Sequence, residues 1–125
     1  MSTFAIPSPF VWDASFDVHH ALVNEQHKKL FTLITDLEAD MANAGKLKAL
    51  LDFVLLHFKT EEDAFAAFHY EDAVAHKAIH DKFVHDAVAA TSGGHVNADI
   101  IKFLKEWLVT HIKGSDMKYT GKIGQ

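Results

Sequence analysis

The sequence GKLKALLDFVLLHFKTEEDAFAAF, at residues 45–68, gives the clearest indication of the fold. Its apolar residues recur at the three- and four-residue intervals of an amphipathic α-helix, without the alternation of a β-strand. Two polar residues, His57 and Glu61, continue the apolar line that runs from Leu50 and Val54 toward Phe65. The stretch therefore predicts a long helix that turns a histidine and a glutamate toward the interior. Its apolar stripe consists of Leu47, Leu50, Val54, Phe65 and Phe68.

Three further blocks show the same helical spacing, at about residues 17–43, 72–91 and 97–113. Gly45, the pair Gly93 and Gly94, and residues 69–71 separate the blocks. Such short connections favour antiparallel neighbours, so we predict an all-α, up-down-up-down four-helix bundle. The apolar stripes of these blocks are Val23, Leu30, Phe31, Ile34, Leu37 and Met41 in the first; Phe83, Val84 and Ala87 in the third; and Ile100, Leu104, Trp107, Leu108 and Ile112 in the fourth.

Length and composition fit a single domain. The chain has 125 residues, 49% of them apolar, which is enough for one buried core. We predict an arm at about residues 1–16, the bundle at 17–116 and a short tail at 117–125. The net charge of −5 is scattered and basic patches are lacking, so nucleic acid is not expected as a partner. The N-terminus has no basic region before an apolar stretch and no segment is apolar enough to span a bilayer, so we expect a soluble, cytoplasmic protein without membrane contact.

Five histidines and two carboxylates lie within the predicted apolar stripes or close to them. His57 and Glu61 are four residues apart, as are His76 and His80, and residues at this spacing share a helix face. A single pair of this kind is usually a solvated surface feature. Five inward histidines together would be a costly core unless their nitrogens were satisfied. Metal binding satisfies one nitrogen of each ring, and a backbone carbonyl or a carboxylate can satisfy the other. The predicted ligands, enough for two metal ions, are His27, His57, Glu61, His76, His80, His111 and Asp116.

The types of the predicted ligands indicate the class of metal, and the spacing of two of them indicates a local distortion of the helix. Imidazole and carboxylate suit iron, zinc or manganese, and the absence of cysteine excludes thiolate sites. Asp116 follows His111 by five residues, which is about 140° around an ideal helix, so the two would not share a face. Gly114 lies between them. We therefore predict a distortion at Gly114, either an end of the helix or a wide π-type turn.

With these motifs in place, the chain resembles the hemerythrin and myohemerythrin family. The resemblance covers nearly the whole length, through PSPFVWDASF (7–16), NEQHKKLF (24–31), HFKTEE (57–62), HKAIH (76–80) and EWLVTHIKGSDMKY (106–119). It implies a non-haem di-iron centre that binds dioxygen reversibly, as hydroperoxide on a five-coordinate iron, in a protein that is not an enzyme. One iron would be held by His76, His80 and His111, the other by His27 and His57, with Glu61, Asp116 and an oxo or hydroxo group as bridges.

The resemblance also requires a dry, apolar wall beside the five-coordinate iron, for which the candidates are Leu30, Phe58, Trp107 and Leu108. Two other functions stay open: a di-iron enzyme that reduces peroxide or nitric oxide or acts as an oxidase, and an iron-storage or oxygen-sensing module. The oligomeric state, monomer or homo-oligomer, is also open.

Several residues near the predicted ligands have subsidiary interpretations. We expect His20 to be a partly buried polar residue that can tune the site, and Glu62 to point away from the ligand face. Tyr70 and Tyr119 are candidates either for hydrogen bonds to the ligands or for packing. Trp12 is expected to pack the arm against the bundle, and the remaining histidines, His19, His69, His85 and His95, are given no role at the site.

Overall fold

The computed structural model describes residues 4–124, and within this range the chain forms α-helices and short 3-10 helices without any strand. The α-helices are α1 (Ala21–Glu38), α2 (Ala44–Ala67), α3 (Ala73–Ala90) and α4 (Ala98–Gly114). Short 3-10 helices occupy Ala14–Phe16 and Asp116–Tyr119. Helix α1 packs against α2 and α4, and α2 packs against α3. The predicted all-α four-helix bundle is confirmed.

The starts of three helices have local causes in the sequence. The side chains of His20, Asn43 and Asn97 accept hydrogen bonds from the backbone N–H groups three residues later, at the first turns of α1, α2 and α4. Each bond satisfies one of the backbone donors that a helix leaves free at its N-terminus. These caps help to fix where α1, α2 and α4 begin, and with them the heights of His27, His57, Glu61 and His111 in the bundle.

Helix α1 is shorter than the block predicted at residues 17–43. At its start, Asp17 is drawn into a separate cluster, because its carboxylate accepts hydrogen bonds from the backbone of His19 and the side chain of Asn24. At its end, Met41 lies in the turn between α1 and α2, where its carbonyl oxygen accepts a hydrogen bond from the backbone N–H of Val96. Polar contacts replace the helical pattern at both ends, and they are local at the start of α1 and long-range at its end.

The residues of the predicted apolar stripes form the core or pack against it, with one exception. Phe68 is 54% exposed, although its spacing placed it on the stripe of α2. Helix α2 ends at Ala67, and the Phe68 ring packs against Gly124 near the end of the chain. A residue beyond the end of a helix is not held on the buried face of that helix. The prediction that Phe68 belongs to the buried face of α2 is therefore wrong.

Residues 1–3 of the predicted arm lie outside the described residues, and the rest of the arm packs along the side of the bundle, as predicted for Trp12. The rings of Phe10 and Phe16 lie 4.4 and 5.0 Å from that of Phe31 in α1, measured between centroids. The Lys28 ammonium sits 4.6 Å from the centre of the Trp12 ring. Over residues 4–124, the helices are too short or too polar to cross a membrane.

Candidate metal centre

All seven predicted ligands meet inside the bundle. Each is at most 4% exposed. They come from all four helices and from the 3-10 helix after α4. Their inward atoms form two overlapping groups, in each of which every donor lies within 4.8 Å of the others. The first group is Glu61, His76, His80, His111 and Asp116, and the second is His27, His57, Glu61 and Asp116.

Asp116 is shared by the two groups through different oxygens. Its Oδ1 lies 3.0 Å from Nε2 of His76 and 3.1 Å from Nε2 of His111. Its Oδ2 lies 3.0 Å from Nε2 of His27. A carboxylate that offers one oxygen to each side is placed to bridge two ions.

Glu61 is the second shared carboxylate. Its Oε1 lies 3.3 Å from Nε2 of His57 and 3.2 Å from Nε2 of His80. Its Oε2 accepts a hydrogen bond from the hydroxyl of Tyr119, which is fully buried. Of the two tyrosine candidates, Tyr119 therefore contacts a site carboxylate, whereas the Tyr70 ring packs against Phe65 and Tyr119. Tyr119 holds Glu61 in one orientation.

The donor atoms have the character of a metal site. Nε2 of His111 lies 3.2 Å from Nε2 of both His76 and His80, so three nitrogens crowd together. Buried side-chain nitrogen and oxygen atoms without a hydrogen-bond partner are concentrated here, on His27, Glu61 and Asp116. Unsatisfied buried polar atoms are unfavourable unless something else binds them. Donor spacings near 3 Å suit neighbouring ligands of one ion, for which metal–nitrogen distances are about 2.1 Å. The residues therefore fit a pair of metal ions.

The route by which Asp116 reaches this centre resolves the distortion predicted at Gly114. Helix α4 ends at Gly114, and the backbone N–H of Ser115 donates to the carbonyl oxygen of His111. The chain then re-enters as the 3-10 helix Asp116–Tyr119. Of the two predicted geometries, the structure has the helix end. The change of helix type at Ser115 turns Asp116 inward beside His111.

Two residues that the sequence analysis missed as partners contact the outward nitrogens of the ligands. Nδ1 of His57 lies 2.8 Å from Oε1 of Gln26, and Nδ1 of His80 lies 2.9 Å from Oε2 of Glu62. Each bond directs the opposite nitrogen, Nε2, at the centre. Glu62 does point away from the ligand cluster, as predicted, but reaches the back of His80 instead. No sequence spacing signals either contact, because both cross between helices.

The electrostatics of the metal-free site are set by burial and by the mixture of charges. Burial lowers the pKa of His57 to about 4, against the opposing attraction of Glu61. Burial alone would raise the pKa of Asp116, but the imidazoles around it, led by His111, hold that pKa well below its usual range. His80 behaves in the opposite way from His57: burial opposes its charge, but bonds to Glu61 and Glu62 raise its pKa. His57 is therefore neutral near pH 7, which is the form in which an imidazole binds a metal ion.

An apolar cavity adjoins the site. Its volume is about 20 Å³, on a scale where one water molecule needs about 10–15 Å³. The two histidines His27 and His57 line it, with His111 and Asp116. All four residues predicted for the dry wall line it too: Leu30, Phe58, Trp107 and Leu108. The cavity has room for a molecule of very few atoms.

Aromatic rings of this wall also hold two ligands in place. The Phe58 ring stacks on His80, with centroids 3.8 Å apart and planes 4° apart. The Trp107 ring stacks on His111, with centroids 4.3 Å apart. Stacked rings restrict the rotation of the imidazoles, so the site keeps its shape through packing as well as through hydrogen bonds.

The remaining histidines lie away from the centre. His19, His69, His85 and His95 are exposed. His20 is partly buried, as predicted, but its Nδ1 accepts a hydrogen bond from the backbone N–H of Val23, 3.2 Å away, so it caps α1.

We expect His20→Ala to lower the free energy of unfolding by about 1 kcal/mol, the usual loss for a helix cap, and to leave the metal content unchanged. His20→Asn supplies another acceptor and should restore most of the stability. Urea unfolding and metal analysis of the two variants would check this. A fall in metal content in both variants would show that His20 tunes the site after all.

Comparisons with known proteins agree with this geometry. The sequence model of the hemerythrin HHE cation binding domain matches residues 18–123. A hemerythrin-like protein of Naegleria gruberi is 56% identical over 116 residues, covering 93% of this chain and 95% of that protein. Myohemerythrin-1 of Phascolopsis gouldii is 42% identical over 123 residues, covering 96% and 99%. A crystal structure of wild-type hemerythrin superposes with a TM-score of 0.84 at 33% identity, covering 92% of this chain and 98% of that one.

The chain belongs to the hemerythrin family. Its buried cluster of histidine, glutamate and aspartate can hold metal, as the cation-binding description of the family domain leads one to expect.

Proposed function

We propose that this protein binds dioxygen reversibly at a pair of non-haem iron ions, in storage or transport of the gas. The observation that carries the proposal is the unequal pair of donor groups beside an apolar cavity. One group offers three histidines and the other two, while both share Glu61 and Asp116. Relatives named myohemerythrin and hemerythrin support iron and dioxygen as the metal and the ligand.

The assignment of ligands follows the two groups. His76, His80 and His111 would hold one iron, and His27 and His57 the other. The carboxylates of Glu61 and Asp116 would bridge the ions together with an oxide or hydroxide. The two-histidine side offers one histidine fewer, so an incoming ligand would be bound on this side. The cavity lined by His27 and His57 opens there.

When bound, the iron pair supplies the electrons that hold dioxygen and recovers them on release. The residues of the chain control what reaches it. Leu30, Phe58 and Leu108 are buried and present an apolar surface to the cavity. Such a wall admits a small neutral molecule and disfavours water and protons, which would displace the reduced gas and leave the irons oxidised.

The size of the cavity supports a binding protein over an oxidase of organic substrates. A space of about 20 Å³ accepts a diatomic molecule and is far smaller than the pockets of about 300–1,000 Å³ that hold organic ligands. Together with the relatives named hemerythrin and myohemerythrin, this leads us to propose that the protein is not an enzyme. The rival activities, reduction of peroxide or nitric oxide, predict steady-state consumption of those substrates in the presence of an electron donor.

The test is a cycle of gas exchange on protein reconstituted with ferrous iron under anaerobic conditions. We expect two irons per chain, a coloured adduct in air, and loss of the colour under vacuum over repeated cycles. Irreversible oxidation on first contact with air, or a metal content far from two, would contradict the proposal.

A further inference from the structure

We propose that Gln26 is a positioning residue that gives the two-histidine side a neutral hydrogen-bond partner, while Glu62 gives the three-histidine side a charged one. The inference rests on the proposed function, which it deepens: the difference in charge sets how firmly the centre holds electrons, and through them dioxygen. The observation behind it is the pair of outward contacts, from His57 to Gln26 and from His80 to Glu62.

The hydrogen bonds around Gln26 determine which of its atoms faces His57. The Thr60 hydroxyl donates its only proton to the carbonyl oxygen of Leu56, 3.1 Å away, and so can only accept from Gln26. The Gln26 amide nitrogen therefore donates to Thr60, over 3.1 Å, and its Oε1 faces Nδ1 of His57. Nδ1 must then carry the proton, and the lone pair of Nε2 is directed at the centre. Thr60 clamps Gln26, and Gln26 orients His57.

The partner of His80 has the opposite chemistry. Glu62 is a carboxylate whose Oε2 accepts from Nδ1 of His80 over 2.9 Å, with the Glu62 side chain 27% exposed. Hydrogen bonds to an ionised acceptor are stronger than those to a neutral amide. A carboxylate partner draws the Nδ1 proton away and makes the opposite nitrogen a better electron donor to a metal.

An imidazole nitrogen that donates more electron density stabilises the higher oxidation state of the metal that it binds. A charged partner behind the imidazole therefore favours loss of an electron from that metal. Gln26 is a neutral amide, so His57, which lines the cavity, does not receive this increase in electron donation. A carboxylate at position 26 would instead favour the oxidised irons and slow the return of electrons that frees the gas. The present arrangement therefore suits reversible release.

The direct test exchanges the charges at the two partners. Gln26→Glu keeps the size of the side chain and adds a carboxylate, and Glu62→Gln makes the reverse change at His80. We expect Gln26→Glu to raise the dioxygen affinity by about tenfold and to lower the two-electron midpoint potential of the iron pair by about 30 mV, which corresponds to the same factor for a two-electron couple. Glu62→Gln should shift the potential upward. A potential that is unchanged, or raised, in Gln26→Glu would overturn the proposal.

The positioning role is tested with cobalt(II), which needs no redox chemistry. Gln26→Leu removes the acceptor and should weaken cobalt binding about 10–100-fold, as usual for a lost partner behind a metal ligand. Thr60→Val should weaken it less, and Thr32→Val is the matched control, since Thr32 makes the same bond to a backbone carbonyl of its own helix but not to Gln26. Equal cobalt affinities of Thr60→Val and Thr32→Val, or no loss in Gln26→Leu, would overturn the role.

These readouts separate the inference from the proposed function. If the wild-type iron protein oxidised irreversibly in air, the proposed function would fail, while the cobalt affinities and the midpoint potentials would still decide the role of Gln26. If the wild type cycled with dioxygen but Gln26→Glu and Gln26→Leu behaved like it, the inference alone would fail.

Discussion

Replacing Glu61 with alanine is expected to abolish the dioxygen adduct and to reduce the iron content from two per chain to less than one. The carboxylate belongs to both donor groups, so its loss removes a ligand from each ion at once. The change also leaves the buried hydroxyl of Tyr119 without its acceptor, which costs about 1–3 kcal/mol. Iron analysis, the visible spectrum and urea unfolding followed by far-ultraviolet circular dichroism would measure the three effects.

Two further variants keep this test informative. Glu61→Gln retains the volume and an acceptor for Tyr119 but removes the negative charge, so we expect a folded protein with weakened iron binding. Asp63→Ala is the matched control, because Asp63 is an exposed carboxylate of the same helix that pairs with Lys59. Asp63→Ala should keep both irons. An unchanged optical spectrum in both Glu61 variants would refute its assignment as a ligand.

Replacing Leu108 with asparagine is expected to speed irreversible oxidation of the dioxygen adduct by about tenfold or more. Leu108 is 4% exposed and lines the cavity, so a polar side chain there would attract water to the position of the gas. A barrier lower by about 1.4 kcal/mol is enough for a tenfold change in rate. The decay of the visible absorption of the adduct in air would give this rate.

The same replacement at an exposed leucine supplies the control. Leu22→Asn, at a site that is 53% exposed, should leave the oxidation rate unchanged. Leu108→Met conserves the apolar character and about the same volume, and should behave like the wild type. Equal oxidation rates in Leu108→Asn and Leu22→Asn would rule out the role of a dry wall.

The four-helix bundle and most of the candidate ligands could be predicted, because they follow from the spacing of residues within single helices. The four-residue intervals that join His57 to Glu61 and His76 to His80 put each pair on one face, and the neighbouring apolar residues showed that the face is the inner one. The structure brings these residues together with His27, His111 and Asp116. That they bind metal stays a prediction.

The features that could not be predicted depend on contacts between helices or on the ends of helices. Gln26 and Glu62 reach His57 and His80 across the gap between neighbouring helices, and spacing within one helix carries no information about such approaches. The exposure of Phe68 follows from where α2 stops. For His20, a capping role is readable in principle, because it immediately precedes the first apolar residues of α1, but histidine is not among the usual capping residues.

The 3-10 helix Asp116–Tyr119 connects the C-terminal part of the chain to the candidate metal centre. Asp116 faces three imidazoles, and Tyr119, one turn later, grips the carboxylate of α2 from behind. The last segment is thus fastened to the middle of the protein through the same two carboxylates that would bind metal. Removal of bound metal ions should therefore loosen the C-terminal residues. We expect faster amide hydrogen exchange and faster proteolysis there.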